Sequence, residues 1–283
     1  MKTWLGLCVL LGMSMLFGSS RQSRSEETAD GAAADERPRE AKELVEQSVD
    51  WYEVLPEADA KVGLRPQVVL RWRNTVRINT GAALLAIWTD HGRPEAMATI
   101  FQTGDQICHE MGSLSRSKKI VVRDKTRVVW SSGKAGVEFR DVPDAPAPAD
   151  DQAARLRQMK SLAERFTARL RPLDASAGTP EVLRLLPRPL YRYDIKDSKG
   201  QGAALRDGGM FAFVMGTDPE VVLLLEAAER DNKVVWQYAF ARATAYAVDA
   251  SLGDEVVWSV NAASGPTPTD SLMQIFRGIP PSP

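Results

Sequence analysis

The chain has 283 residues, 36 Lys and Arg against 37 Asp and Glu, and a hydrophobic fraction of 44%. That length allows one or two domains and a core that needs neither disulfide nor metal to hold it. A net charge of −1 excludes the strong basic bias of a nucleic-acid binder, and two His with two Cys leave little material for a metal site.

The N-terminus has three parts. Met1-Lys2 is positive, Trp4 to Phe17 is an uncharged, mainly apolar run, and Gly18-Ser19-Ser20 are small. The pattern predicts a signal peptide over 1–20, with an uncleaved anchor as the alternative. Removing it takes away Lys2 and Cys8, so the mature chain would carry a net −2 and Cys108 alone, and no internal disulfide could form. Residues 21–40 begin with a polar stretch without a large apolar side chain, which predicts a disordered leader.

A first β-unit is expected over 41–142. It opens with a short helix carrying Leu44, Val45, Val49 and Trp51. From Gln67 the period falls to two, with Val68, Leu70 and Trp72 on one face. Short apolar or alternating runs follow at Ala83–Thr89, Ala96–Phe101, Ile107–Leu114, Arg127–Ser131 and Val137–Arg140, with Gly104-Asp105 as a hairpin turn. Their spacing predicts an antiparallel meander.

Residues 143–172 hold a Pro-rich linker and then a helix. Asp150 or Asp151 would cap it, and Leu156, Met159, Leu162, Ala163, Phe166 and Leu170 recur at helical spacing, which predicts one long amphipathic helix over 151–171. Pro172 would end it. A second β-unit over 173–260 should contain Leu183–Leu186, Leu190–Tyr193, Met210–Met215, Val221–Ala228, Val234–Val248 and Glu255–Val260, with a turn at Asp231-Asn232. In Val234–Val248 the aromatics Trp236, Tyr238 and Phe240 share a parity with Arg242, and a row of Ala takes the other. That favours one long strand, the Ala content keeping a helix open, and the Ala face is suited to receiving the 151–171 helix. Arg242 falls opposite Val221 and is expected to pair with Glu220. The tail 261–283 is Pro-rich and loose apart from Leu272–Phe276. The fold class is therefore α+β: two antiparallel β-units joined by one long amphipathic helix.

The two units carry an echo of each other. Ala86–Phe101 and Ala212–Ala227 both run strand, Gly-containing turn, Pro-Glu, strand, and Pro94-Glu95 matches Pro219-Glu220 at an offset of 125. Val128-Val129-Trp130 matches Val256-Val257-Trp258 at 128. Internal duplication and coincidence both remain open here, and differing strand orders would end the first.

Candidate chemistry is sparse. Cys108-His109-Glu110 would need Cys and His on one side, but strand alternation sends them to opposite faces. Cys108 is expected inside and His109 on the wet face. His91 sits in a polar turn with Asp90, Arg93 and Glu95, where it would serve as a general base or simply as turn chemistry. His91, His109 and Glu95 are thus the weak catalytic candidates. Their spacing does not support a zinc site, and no Gly-rich phosphate loop, Gly-x-Ser-x-Gly, His-Glu-x-x-His or Cys-x-x-Cys occurs, so no cofactor is expected. Arg71, Arg73 and Arg77 share a parity and, with Arg123 and Lys118-Lys119, form a small basic face of the kind that is usually just solvated.

The stretches WTDHGRPEAMATIF, LPRPLYRYD, FAFVMGTDPEVVLLLEA and VVWSV resemble a family of uncharacterised exported proteins of planctomycete bacteria, over about Trp72 to Val260. The resemblance implies a bacterial periplasmic or extracellular setting and carries over no catalytic residue. The expectation is a non-enzymatic binding or structural protein of the cell envelope, with an envelope component or protein as partner, no nucleic acid, and no integral span once the signal is gone. The competing reading is an extracytoplasmic hydrolase using His91 or His109 with neighbouring carboxylates.

Overall fold

A computed structural model of the chain describes residues 41–74, 80–117, 119–172, 178–193, 195, 205–263 and 271–279. The segments 1–20 and 21–40, Arg77, Lys118 and part of the tail lie outside the described residues.

Helix α1 (41–47) runs into a 3-10 turn, Ser48–Trp51. Val45 and Val49 are buried, as the spacing predicted. Strand β1 (Glu53–Leu55) leads to a meander, β2 (Arg65–Asn74), β3 (Thr80–Asp90), β4 (Arg93–Thr103) and β5 (Gln106–Ser113). A hairpin, β6 (Val121–Asp124) and β7 (Arg127–Ser131), and a two-residue strand, β8 (Arg140–Asp141), come next. Helix α2 (Gln152–Ala163), β9 (Phe166–Leu170), β10 (Glu181–Leu185) and β11 (Tyr191–Arg192) precede a second meander, β12 (Leu205–Met215), β13 (Asp218–Arg230) and β14 (Lys233–Arg242). The chain then forms the hairpin β15 (Val248–Leu252) and β16 (Glu255–Val260), and β17 (Leu272–Gly278).

The strands make three antiparallel sheets: β1-β6-β7, then β17-β5-β4-β3-β2, and a long one ordered β16-β15-β9-β10-β12-β13-β14-β8 with β11 also on β12. β10 bends this last sheet. Its first residues pair with β9, and Arg184 and Leu185 pair with β12.

The two meanders pack face to face. Leu85, Ile87 and Met97 of the first meet Val222, Leu224, Ala239 and Ala241 of the second in a shared core. The outer face of the first, with Leu84, Trp88 and Ile100, is covered by Val45, Val54, Val122 and Trp130 of the α1 and β1-β6-β7 layer. The outer face of the second, with Leu223, Leu225, Trp236 and Phe240, is covered by Met159 and Leu162 of α2 and by Phe166 and Leu170 of β9. Strands buried on both faces have no polar parity, which is why β13 reads as an almost unbroken apolar run.

These layers overturn the expected α+β fold class. The described residues are β-rich, with short helices only, and no long amphipathic helix joins the two β-units. Asp151 caps α2 as expected, its carboxylate accepting the Ala154 N–H at 2.7 Å. The helix nonetheless stops at Ala163. Phe166 and Leu170 fit helical spacing, but with Ala168 they also alternate with exposed Thr167 and Arg169. The alternation wins because β10 and β15 pair with this segment on both sides.

The long strand over Val234–Val248 is also two elements. The Arg242 guanidinium donates to the carbonyls of Thr244 and Tyr246 at 2.7 and 2.8 Å and of Asn261 at 2.8 Å. These bonds fold the chain back on itself, and β15 starts in the neighbouring layer. The Ala face of β14 receives the first meander, not the helix. The patch Leu272–Phe276 is not an isolated island in a loose tail, because β17 pairs with β5 along its whole length.

Arg242 does lie opposite Val221, and Asp231-Asn232 is a two-residue turn with φ of 51° and 60°. Both meanders, with the hairpins that follow, also share irregularities. One bulge makes Glu95 the extra residue of β4 opposite Trp88 and Thr89, and Glu220 the extra residue of β13 opposite Phe213 and Val214, an offset of 125. Another falls between Val122 and Arg123 and between Ala250 and Ser251, an offset of 128. Strand β1 pairs with β6 as β9 pairs with β15.

One buried cluster ties the two meanders together. Arg93, 1% exposed, donates through Nε to Glu226 Oε1 and through Nη1 to Glu95 Oε1, both at 2.9 Å. Nη1 also reaches the carbonyls of Pro94 and Leu114. The Tyr193 hydroxyl donates to Glu226 at 3.0 Å, and Arg116 reaches the other carboxylate oxygen. Burial works against the Arg93 charge, but Glu226 and Glu95 outweigh it and hold the guanidinium above its ordinary pKa. Arg93→Met would leave Glu95 without that cation and Glu226 with Arg116 and the Tyr193 hydroxyl, and is expected to cost about 3–5 kcal/mol in urea unfolding. A loss below about 1 kcal/mol would show that the cluster does not hold the sheets together.

Candidate functional site

Strand β14 is next to last in its sheet, and among the described residues the ladder on its outer edge is confined to Gln237 and Tyr238, paired with Asp141 and Arg140 of β8. The next residue along, Val142, donates to the Trp236 carbonyl at 2.8 Å. The even-numbered residues of β14 therefore turn their N–H and C=O groups to this edge, and the odd-numbered ones turn theirs to β13. In the first meander the corresponding edge of β5 is filled by all seven residues of β17.

The chain ahead of Arg140 does not follow β14. Phe139 turns beneath the guanidinium groups of Arg116 and Arg93, which lie 3.8 and 5.6 Å from its ring centroid. Val137 is buried in the inter-sheet core. Gly136 and Val137 donate to the Ser115 carbonyl at 2.8 and 3.3 Å. Glycine is required at 136, because an added Cβ would lie 1.9 Å from the Ser113 carbonyl oxygen.

Between this diverging segment and β14 lies a cleft of about 630 Å³. Its apolar part includes Phe240 and Trp258, whose rings stack at 5.6 Å and 28°. Its charged lining is Arg116, Lys134, Arg140 and Arg242 against the single carboxylate of Glu138. The cations come from different parts of the chain, and the arginines among them are held in place. Arg116 donates to Glu226 at 3.1 Å and to Gln237 at 3.2 Å. Arg140 donates to the Val257 carbonyl at 3.1 Å. Behind them the Gln237 amide and the Arg230 guanidinium hold the Asp141 carboxyl below its ordinary range.

The residues singled out from sequence lie elsewhere. His91 is at the β3–β4 turn, exposed, with φ of 48° and Nε2 3.6 Å from Asp90. Glu95 is 3% exposed and committed to Arg93. His109 is not on a wet face. It is 1% exposed because α1 and the 3-10 turn cover that side of β5. Its Nε2 lies 3.0 Å from the Ser48 carbonyl, and the rings of Trp51 and Tyr52 pack on it at 5.8 and 5.0 Å. Cys108 points the other way, as strand alternation requires, and burial pushes its thiol well up, with Glu110 adding to the effect. None of these residues lines the cleft.

Among the described residues no group of three or more His, Cys, Asp or Glu could hold a metal ion. In the expected basic face, Arg71 is neutralised by Glu46 at 2.9 Å. Sequence reasoning passed over Arg116, Phe139 and Glu226. Glu226 had a readable signal: a carboxylate inside the apolar run of β13 must be buried with a cation.

Burial lowers the pKa of His109 to about 4, the Ser48 carbonyl offsetting only part of the effect. Below the ordinary pKa of about 6.5 the unfolded chain binds a proton that the folded chain refuses. Stability from this group is thus present above about pH 6.5 and lost as pH falls towards 4, about 3 kcal/mol in all. Buried Glu110 has a raised pKa and works in the opposite sense in its own range. His109→Phe is therefore expected to flatten the fall in urea-unfolding stability between pH 6.5 and 4, and an unchanged slope would remove His109 as its source.

No protein-family model, curated protein or solved structure matches the chain. Among the described residues no helix is long and apolar enough to cross a membrane.

Proposed function

We propose that the protein is an exported, non-enzymatic binding protein of the bacterial cell envelope, and that the cleft along β14 takes an anionic ligand. The observation that carries this is the set of cations around an incompletely paired strand edge. Arg116, Lys134, Arg140 and Arg242 line it with one carboxylate, Glu138, 3.9 Å from Arg140. Stacked Phe240 and Trp258 supply apolar contact beside the charge, the usual make-up of a specific site. Export is supported by the charged, apolar and small-residue sequence over 1–20, and a bacterial envelope by the resemblance to planctomycete exported proteins.

Duplication of one β-unit belongs to the same reading. Shared bulges and shared hairpin order at offsets of 125 and 128 support it. On that reading β5 and β14 are equivalent strands with different edges: one is closed by β17, and the other is left for a ligand.

Lys134 and Arg140 are both exposed, so Lys134→Glu/Arg140→Glu should fold normally. A soluble envelope extract passed over immobilised mature protein should leave a ligand on the wild type and at least tenfold less on the double variant. Equal retention would place the ligand elsewhere. Turnover of an ester, glycoside or peptide substrate that disappears in His91→Ala or His109→Phe would replace this reading with a hydrolase.

A further inference from the structure

We infer that the ligand of the β14 cleft is an acidic polypeptide in extended conformation, which adds to β14 as a new edge strand. The inference rests on the binding reading above and narrows its ligand class.

The argument begins with the backbone. Strand β8 starts an antiparallel pairing with β14 and abandons it after Arg140, because Phe139 is drawn beneath Arg116 and Arg93. The alternation fixed by Val142 on Trp236 then turns the Phe240 N–H and C=O towards the cleft. The run Ala239–Arg242 beyond the paired residues spans about 13 Å of strand, room for a short extended segment. Strand addition at such an edge draws its affinity from main-chain hydrogen bonds and its selectivity from the flanking side chains.

The molecule contains a template for the arrangement. β17 runs antiparallel along β5, and Ser113 extends that ladder by donating to the Ser271 carbonyl at 2.9 Å. Ser113 and Ser271 both line the cleft, so its rim continues a ladder already built.

The side chains set the acidic preference. Successive residues of an added strand point to opposite faces. Arg140 lies opposite Tyr238 and reaches Val257, which puts it on the Phe240 face together with Arg242. Arg116 reaches Gln237 and serves the other face, with the Ala239 side chain. Both parities of an added strand therefore meet a cation, and half-buried Trp258, stacked on Phe240, offers one parity an apolar contact. A small anion would use the cations but leave the strand edge unused.

The test uses the mature chain and a pool of end-blocked hexapeptides with Asp or Glu alternating with Val, Thr or Leu. Binding is followed by fluorescence anisotropy, and the Phe240 amide by hydrogen exchange. The acidic pool should bind, slow exchange at Phe240 at least tenfold, and bind at least tenfold more weakly to Arg140→Glu. N-methylation at alternate residues should abolish binding in one frame and spare it in the other, because only one set of N–H groups faces β14. Equal binding of both N-methylated frames, or Phe240 protection by inorganic phosphate alone, would overturn strand addition and leave an anion-binding cleft. Failure of every peptide while the extract ligand is still retained at the cleft would do the same. If neither peptide, phosphate nor extract ligand binds, the inference and the binding reading both fall.

Discussion

The ion pair between Arg93 and Glu226, 2.9 Å long and almost fully buried, sets what the rest of the molecule can be. It spans two sheets whose shared core is mostly apolar and would tolerate several relative positions. A fixed donor fork against one carboxylate tolerates few. Once Glu226 is held there, its second oxygen draws in Arg116, and Arg116 with Arg93 draws in Phe139. That pull takes the chain off β14. The cleft is therefore a consequence of where one buried charge had to find its partners.

Much of the β-structure was legible because its signals are local. Period-two alternation and the turns at Gly104-Asp105 and Asp231-Asn232 placed both meanders, and the parity of β14 put Arg242 opposite Val221. The layers were not legible. Phe166 and Leu170 satisfy a helical and a strand period at once, and the decision falls to β10 and β15, which come later in the chain. Arg242 looked like one more residue of a long strand, although its three carbonyl partners are what end that strand. His109 shows the same limit: alternation gave the correct separation from Cys108, and only α1 and the 3-10 turn decide that its face is dry.

The candidate site was the least legible part. Sequence attention went to His, Cys and the carboxylates near them, the residue types that carry most acid–base and nucleophilic chemistry. The cleft uses cations and a strand edge instead. Neither forms a motif, because Arg116, Arg140 and Arg242 come from separate elements, and because an edge exists only once its neighbour has failed to pair. Lone arginines scattered through a chain of balanced charge announce nothing until the fold gathers them.

The pairing of β17 with β5 has a consequence for the order of events in folding. Gln274 and Glu110 are hydrogen-bonded partners separated by 164 residues. Until β17 arrives, β5 presents an open edge of its own, and the first sheet resembles the second in its readiness to accept a foreign strand. Closing such a long loop is slow compared with forming a hairpin. Before β17 docks, the newly made chain thus passes through a stage with two open edges, one temporary and one permanent, and its solubility in that interval depends on how fast its last strand comes home.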